Sequence, residues 1–401
     1  MKSIREIFRI GFGPSSSHTM GPRKAAELFL ERHPEAARYE AHLYGSLSAT
    51  GKGHLTDAAI IEVIPGVEIV WHEEFLPFHP NGMRFFAWDP TGALLEEWTV
   101  YSVGGGALSE GETDDPKLKS ETVTPNIYPL TRLTDIKEYC ESQGWDYWEY
   151  VEHYEGKEIW DYLREVWQVM RESVERGLDQ EGVLPGPLHL RRKAASYYIK
   201  VAAYRDNLRT RGLVFSYALA VSEENASGGK IVTAPTCGSC GVLPAVLYHA
   251  WRSRDFSEKR ILHALATAGL IGNVVKENAS ISGAEVGCQG EVGVACAMAS
   301  AAVNQLFGGT LAQIEYAAEM GLEHHLGMTC DPVCGLVQIP CIERNAFAAA
   351  RALDSNTYAA FSDGSHRVSF DRVVDVMKET GHDLPSLYKE TSQGGLAKEY
   401  V

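Results

Sequence analysis

The sequence has a shortage of positive charge and no long apolar run, and each absence disfavours a class of function. Lysine and arginine number 37 against 53 aspartates and glutamates, a formal net charge of −16. This balance argues against nucleic acid or an anionic membrane as the main partner. No segment approaches the roughly 18 apolar residues of a membrane helix. The longest candidate, 292–303, is rich in Gly, Ala and Ser and predicts a tightly packed core helix.

The opening residues also lack the features of an export signal. In MKSIREIFRIGFG, the charged residues Arg5, Glu6 and Arg9 interrupt the apolar stretch that a signal peptide needs. We therefore expect a cytoplasmic protein. In a reducing compartment, eight cysteines in 401 residues predict free thiols or metal ligands and not a disulfide framework.

Three of these cysteines fall in one short stretch, TCDPVCGLVQIPCIERN at 329–345. They are Cys330, Cys334 and Cys341, and a fourth, Cys288, lies upstream in GAEVGCQGEVG. Thiols beside Gly and Pro, with no histidine at zinc-finger spacing, favour a soft-metal site, and an iron–sulfur cluster is the first candidate. Ordinary buried thiols are the alternative that the spacing leaves open.

The hydrophobic pattern predicts an α+β arrangement up to about residue 110, with polar loops between short strands and helices. The predicted helices are 22–31 and 58–64, and the predicted strands are 41–44, 67–70, 83–88 and 94–103. Residues 1–20 predict a short amphipathic helix and a loop. The polar, proline-containing stretch 110–132 predicts a linker or an exposed loop.

Helical patterns dominate the rest of the chain. Residues 135–176 carry aromatic side chains at near-helical spacing, which favours core packing over a cofactor site. Beyond 182–190 the helices are rich in Ala, Gly and Val and break at glycine-rich turns. The predicted fold is an α+β amino-terminal domain with a helical linker, 1–175, followed by a mostly α-helical catalytic domain, 176–401.

Three polar loops of the first domain each hold a histidine. The first suits an anion or caps the following helix, and it contains Ser15, Ser16, Ser17, His18 and Thr19. The second holds Lys52 and His54 on glycine-rich backbone without the spacing of a nucleotide P-loop. Lys52 could hold a carboxylate and His54 could move a proton, or the segment is a solvated turn. The third holds His79 and Asn81, where a simple turn is the alternative. If the loops converge, they supply acid–base groups to one site.

Two further features admit a functional interpretation. Lys230 follows Ser-Gly-Gly and could form a Schiff base with pyridoxal phosphate, although this pattern is common at helix ends. Cys237 and Cys240 form a CxxC pair, which could be redox-active or half of a metal site. The adjacent His324 and His325 face different sides of a helix, so at most one enters a site.

Taken in order, the motifs identify a family. The chain resembles the iron–sulfur-dependent L-serine dehydratases (L-serine ammonia-lyases) of the single-chain type nearly end to end. The resemblance rests on GPSSSHTMGP, GSLSATGKGHLTD, HPNGMRF, SVGGG, GVLPGPL, ENASGGKIVTAPT, GAEVGCQGEVG and TCDPVCGLVQIPCIERN. It implies an α+β domain, a helical catalytic domain and a [4Fe–4S] cluster on Cys288, Cys330 and Cys341. It also implies that the three loops face the cluster across the domain interface.

The chain departs from the family pattern at three thiols and at its last residues. The family pattern has Asn at the position of Cys237, Ala at that of Cys240, and Gly or Ala at that of Cys334. Some members end in a cysteine that can occupy the free iron of the cluster. This chain ends in Lys-Glu-Tyr-Val, so we expect no such tail ligand.

The resemblance implies elimination of water from L-serine, which yields pyruvate and ammonia. Three cysteines on four irons would leave one iron as a Lewis acid for the hydroxyl group. We expect His54 as the base, Lys52 on the carboxylate, and His79 as the alternative base or as the acid. Substrate would also contact Asn81 and the serine loop, whose residues would bind the carboxylate or the ammonium group. A homodimer is the family-level expectation.

Other functions stay open on the sequence alone. The extra thiols keep a related lyase possible, acting on L-threonine or L-cysteine. A pyridoxal-phosphate lyase using Lys230 and a non-catalytic iron–sulfur sensor are the remaining alternatives. The absorption spectrum and serine-dependent pyruvate formation separate them.

Overall fold

A computed structural model describes residues 1–110 and 125–400 of the chain. Most of the first part is a mixed sheet with helices on one face. The elements in order are strand β1 (Ile10–Phe12), helix α1 (Gly21–Arg32), strand β2 (Arg38–Tyr44), helices α2 (Ser46–Thr50) and α3 (Thr56–Val63), and strands β3 (Glu68–His72), β4 (Gly82–Trp88), β5 (Leu94–Ser102) and β6 (Leu108–Ser109). The sheet order is β3-β2-β4-β5-β6, in which only the β2–β3 pair is parallel.

Alternation along the strands explains how this sheet packs. In β4, Met83, Phe85 and Ala87 are buried, while the residues between them face the other side. Ala25, Ala26 and Phe29 of α1 share the same apolar cluster. The sheet therefore packs against its helices on one face, and the loops that connect its strands extend to the second domain.

The second part is helical. Its elements are α4 (Leu133–Gln143), α5 (Tyr147–Glu155), α6 (Ile159–Asp179), α7 (Ala194–Val201), α8 (Asp206–Ala226), β7 (Lys230–Val232), α9 (Val242–Arg254), α10 (Glu258–Asn278), α11 (Gly283–Val286), α12 (Val294–Leu306), α13 (Leu311–Glu323), α14 (Cys341–Ala360) and α15 (Phe370–Asp383). Helix α12 is buried almost throughout and packs against α9, α10, α13 and α14. Its small Ala, Ser and Val side chains let these helices approach closely. The helix is packed in the core, as was predicted for residues 292–303.

The amino terminus belongs to the helical core. The terminal ammonium group donates to the Tyr128 carbonyl at 2.6 Å, and Ile4 and Phe8 are fully buried there. Strand β1 then pairs antiparallel with β7, with Ile10 opposite Val232. This pairing delivers the serine loop, which follows β1 directly, to the boundary between the two parts of the chain.

The predicted fold class is confirmed, whereas some local predictions differ. Residues 1–20 form a 3₁₀ turn, β1 and a π-helical turn in place of an amphipathic helix. The predicted helix 135–176 is three helices, because Gly144 and Gly156 end α4 and α5 with positive φ. The boundary at 175/176 stays a prediction, and α4–α6 share the core of the later helices. Residues 111–124 of the predicted linker lie outside the described residues.

No helix within 1–110 or 125–400 is both long enough and apolar enough to cross a membrane.

Candidate active site

A small cavity lies where the loops of the α+β domain meet the helical domain. The residues that line it are Ser15, Ser16, His54, Gly238, Glu291, Cys330, Pro332, Val337, Cys341 and Glu390. They come from six separate segments of the chain. Both domains therefore contribute to the cavity wall, with hydroxyls and an imidazole from the first and thiols and carboxyls from the second.

Three thiols gather at the helical side of this cavity. The thiols of Cys288 and Cys330 share a hydrogen bond, and Cys341 lines the cavity beside Cys330. Each thiol is placed by backbone structure. Cys288 precedes a π-helical turn, Cys341 is the first residue of α14, and Cys330 exchanges backbone hydrogen bonds with Tyr388 and Glu390. The ligand set implied by the motifs is thus brought together in space.

Two neighbours on α14 support the thiol group. The Arg344 guanidinium interacts with all three thiols and donates to the Thr329 carbonyl at 2.7 Å. Asn345 donates to the Gly238 carbonyl at 2.7 Å and accepts from the Gly241 amide at 2.9 Å. The arginine places a positive charge beside the thiols, and Asn345 fixes the adjoining loop to the helix that carries Cys341.

The serine loop forms a compact turn at the opposite side. The Ser15 hydroxyl accepts the His18 amide at 3.1 Å, and the Thr19 hydroxyl accepts the Ser15 amide at 3.1 Å. Ser15 thus caps the turn Ser16–Met20, which leads straight into α1, whereas α1 itself begins without a side-chain cap. Capping and substrate contact are compatible, because Ser15 and Ser16 also line the cavity.

His54 is fully buried, and its hydrogen bonds define its tautomer. The Thr50 hydroxyl donates to the Ser46 carbonyl at 3.0 Å, so it accepts from Nδ1–H of His54 at 3.1 Å. Nε2 then carries the lone pair, and among the described residues it has no hydrogen-bond partner. Burial lowers the pKa of His54 to about 4. The imidazole is therefore neutral near pH 7 and has a free basic nitrogen.

The three histidine loops do converge. The rings of His18 and His54 lie 4.5 Å apart between centroids, and His79 is near enough for its charge to act on His18. Burial and these two neighbours hold the pKa of His18 well below its usual range. Nδ1 and Nε2 of His18 are engaged by Ser17 and Ser46. His18 therefore holds the loops in position and has no free nitrogen for proton transfer.

His79 has the opposite tautomer from His54. Its Nδ1 accepts the Asn81 amide at 3.1 Å, so Nε2 carries the proton and faces the Glu285 carboxylate at 3.4 Å. Asn81 donates to the Ser102 carbonyl at 3.2 Å, while its Oδ1 has no partner among the described residues. Both residues lie beside the cavity-lining group and outside the cavity wall itself.

Lys52 and Cys334 lie on a different surface. Lys52 is exposed, and together they line an outer cleft with Gly53 and Gly335. Cys334 has a left-handed φ of +56°. This backbone conformation is uncommon for a residue other than glycine. Val337 lines both the inner cavity and part of this cleft. The cleft therefore adjoins the cavity and lies outside it. The role of Lys52 on the substrate carboxylate stays a prediction.

The other candidate residues do not line the cavity, although Cys237 and Cys240 lie on either side of Gly238, which does. Cys237 and Cys240 are buried in the helical core, and the Cys237 thiol contacts the sulfur of Met20 at 3.3 Å. Lys230 is exposed at the start of β7. His325 is buried and bonded through Nδ1 to the Gly321 carbonyl at 2.7 Å, and His324 is largely exposed.

Comparisons with known proteins give matches along the whole length of the chain. The family model for the serine dehydratase beta chain matches residues 3–68, and the model for the serine dehydratase alpha chain matches residues 57–397. The L-serine dehydratase TdcG of Escherichia coli (strain K12) is 42% identical over 455 aligned positions that cover 100% of both chains. The chain belongs to the serine dehydratase family. The L-serine dehydratases of Haemophilus influenzae and Streptomyces coelicolor are 40% and 41% identical, covering all of this chain and 100% and 99% of theirs.

Family membership confirms the resemblance carried by the motifs. The beta-chain match includes the serine loop and His54, and the alpha-chain match includes His79, Asn81 and the three cavity cysteines. In this serine dehydratase family member the two models follow one another along a single chain. The cavity is formed where residues from the two matches meet.

Sequence reasoning missed three polar residues of the site. Glu291 and Glu390 line the cavity, and Arg344 lies behind the thiols. Glu291 follows Cys288 by three residues and Arg344 follows Cys341 by three, which places each on the helical face of its cysteine, so spacing could have found both. Glu390 is more than 45 residues from any cysteine, and nothing in its local pattern sets it apart.

Proposed function

We propose that this chain is an L-serine ammonia-lyase that converts L-serine to pyruvate and ammonia, with a [4Fe–4S] cluster held by Cys288, Cys330 and Cys341. The observation that carries the proposal is the cavity, in which Cys330 and Cys341 face the neutral imidazole of His54. The full-length relatives named above are L-serine dehydratases, which supports the choice of substrate.

The residues present fit an iron–sulfur cluster. Thiols are the usual ligands of such clusters, and three of them gather here without a histidine among them. Arg344 offers positive charge to an anionic cluster with thiolate ligands. The missing side chain of Gly283 leaves space that Cys330 and Glu291 occupy, since a Cβ there would lie 3.1 Å from the Cys330 sulfur and 2.8 Å from a Glu291 oxygen.

That space provides a test of the cofactor site. Changing Gly283 to alanine should lower the iron and sulfide content of anaerobically purified protein by more than about half, because the new methyl group crowds the Cys330 thiol. Pyruvate formation should fall in proportion to iron. Full iron content in this variant would show that cluster binding does not depend on the close packing of Gly283 against Cys330.

The chain's own residues account for the proton transfer. Ser15 and Ser16 line the cavity and offer hydroxyl groups to the substrate. The Nε2 lone pair of His54 takes the Cα proton while the bond from Cβ to the hydroxyl breaks. The imidazolium then gives its proton to the departing hydroxide, so the products are aminoacrylate and water and His54 is neutral again. When bound, the cluster would supply a Lewis acid that makes hydroxide a better leaving group. Aminoacrylate tautomerises and is hydrolysed to pyruvate and ammonia.

The buried base makes a prediction about pH. Protonation inactivates His54, and a pKa of about 4 leaves it neutral throughout the range from pH 5 to 8. We expect kcat/KM for L-serine to show no acid limb near pH 6.5, the usual pKa of histidine. Rates would be divided by the iron content measured at each pH, which removes the effect of cluster loss. An inflection near pH 6.5 that disappears in a His54 variant would contradict the assignment.

Formation of the 2-oxo acid from a panel of amino acids, which is pyruvate from serine or cysteine and 2-oxobutyrate from threonine, tests the reaction itself. We expect L-serine to be used best among L-serine, D-serine, L-threonine and L-cysteine, with activity that depends on iron. Preference for L-threonine or L-cysteine would make the chain a related lyase, and a loaded cluster without pyruvate would make it a sensor. An aldimine absorption band would indicate pyridoxal phosphate, although Lys230 lies outside the cavity. We further propose a cytoplasmic homodimer.

A further inference from the structure

The cavity contains two carboxyl groups that the proton transfer above does not use. Glu291 lies three residues after Cys288, and one of its oxygens lies within 4.8 Å of the thiols of Cys288 and Cys330. Glu390 belongs to the carboxyl-terminal segment, and its amide donates to the Cys330 carbonyl at 2.7 Å. Both side chains line the cavity.

Glu390 is held there at a cost to the fold. Its side chain is only 8% exposed, and it lines the cavity. Taking a carboxyl group out of water destabilises the fold unless a partner or a ligand pairs with it. Its φ of +60° is also in the left-handed region, which is unfavourable for a residue other than glycine. Such costs concentrate where a side chain has a ligand to bind.

The remaining walls show which ligand group fits. The α+β side offers the hydroxyls of Ser15 and Ser16, which suit a carboxylate, and His54, which is neutral. No lysine or arginine lines the cavity among the described residues. An amino acid brings an ammonium group that needs an acceptor, and the carboxyl groups of Glu291 and Glu390 are the acidic groups in the wall.

We propose that Glu390, supported by Glu291, binds the ammonium group of the amino-acid substrate and so orients the molecule with its carboxylate toward the serine loop. The proposal rests on the amino-acid lyase activity proposed above. A buried acidic side chain that binds an ammonium group selects amino acids over hydroxy acids of the same shape, because the latter bring no positive charge to the site. It also fixes the Cα hydrogen relative to His54.

Two inhibitors that differ only in the group on Cα test this role. D-Serine carries an ammonium group, and D-glycerate carries a hydroxyl in its place. Both would be measured as competitive inhibitors of pyruvate formation from L-serine by the anaerobically prepared enzyme. In Glu390→Gln we expect the KM for L-serine and the inhibition constant of D-serine to rise at least about tenfold. The inhibition constant of D-glycerate should change less than about twofold.

Controls separate this role from a structural one. Glu379→Gln removes one charge from the exposed face of α15 and should leave both inhibition constants unchanged. Glu390→Asp should retain part of the preference for D-serine. If Glu390→Gln does not accumulate, Glu390→Asn serves instead, since asparagine tolerates a left-handed φ.

Equal shifts for the two inhibitors, or no shift for either, would overturn the ammonium assignment. Loss of iron and sulfide in Glu390→Gln would overturn it as well, because the residue would then be holding the cofactor. A wild-type enzyme that forms no pyruvate from any amino acid would instead contradict the proposed function. The two failures are therefore distinct.

Discussion

Replacing Cys330 with alanine should remove the cluster and lower pyruvate formation by more than about a thousandfold, while Cys334→Ala should keep both. The two cysteines differ in where their side chains lie. Cys330 shares a hydrogen bond with Cys288 and lines the inner cavity, whereas Cys334 lines the outer cleft beside Lys52. Loss of a Lewis acid worth several kcal/mol at the transition state corresponds to a rate loss of this size.

The comparison is matched, because both variants remove one thiol from the same short segment. Iron and sulfide would be counted in each protein after anaerobic purification, and circular dichroism would confirm that each is folded. Three thiolate ligands leave one iron for substrate, but four would saturate the cluster. If Cys334→Ala lost iron as completely as Cys330→Ala, Cys334 would be a ligand and the proposed Lewis-acid role would be wrong.

Replacing His54 with asparagine should lower kcat by about 10²–10⁴-fold without loss of iron. Nε2 of His54 is the unpartnered lone pair at the cavity, and Nδ1–H is fixed by Thr50. Thr50→Val should give a smaller loss, since the ring would keep its nitrogen but lose the bond that orients it. Iron content and kcat measured on the same samples separate the base from the cofactor.

His79 provides the competing assignment. Its Nε2 carries the proton and faces Glu285, so the structure favours a donor at this position and not a base. His79→Asn should therefore lower kcat less than His54→Asn. The reverse order would make His79 the base.

Local sequence pattern predicted much of the α+β domain because each strand carries its own alternation. Strand β4 was predicted at 83–88 and is Gly82–Trp88, since Met83, Phe85 and Ala87 mark one face. The pairing of β1 with β7 was not predicted. It joins Ile10 to Val232, and short strands so far apart in sequence carry no local signal of their partner.

The candidate site was predicted only in part, because local motifs mark some of its residues and long-range contacts place the others. Residue type and motif pointed to the cysteines and to the histidine loops, and the structure brings these together. Glu390 was missed because its importance comes from burial against Cys330, a long-range contact. The tautomer of His54 was likewise beyond prediction, since it depends on the hydrogen bond that Thr50 makes to Ser46.

The most direct test of the central claim measures iron, sulfide and pyruvate on one sample of anaerobically purified protein, before and after the iron is removed with a chelator. The account predicts about four irons and four sulfides per chain. It also predicts pyruvate formation from L-serine that disappears with the iron and returns when the cluster is rebuilt. Full activity in the iron-free protein, or a complete cluster with no pyruvate from L-serine, would contradict it.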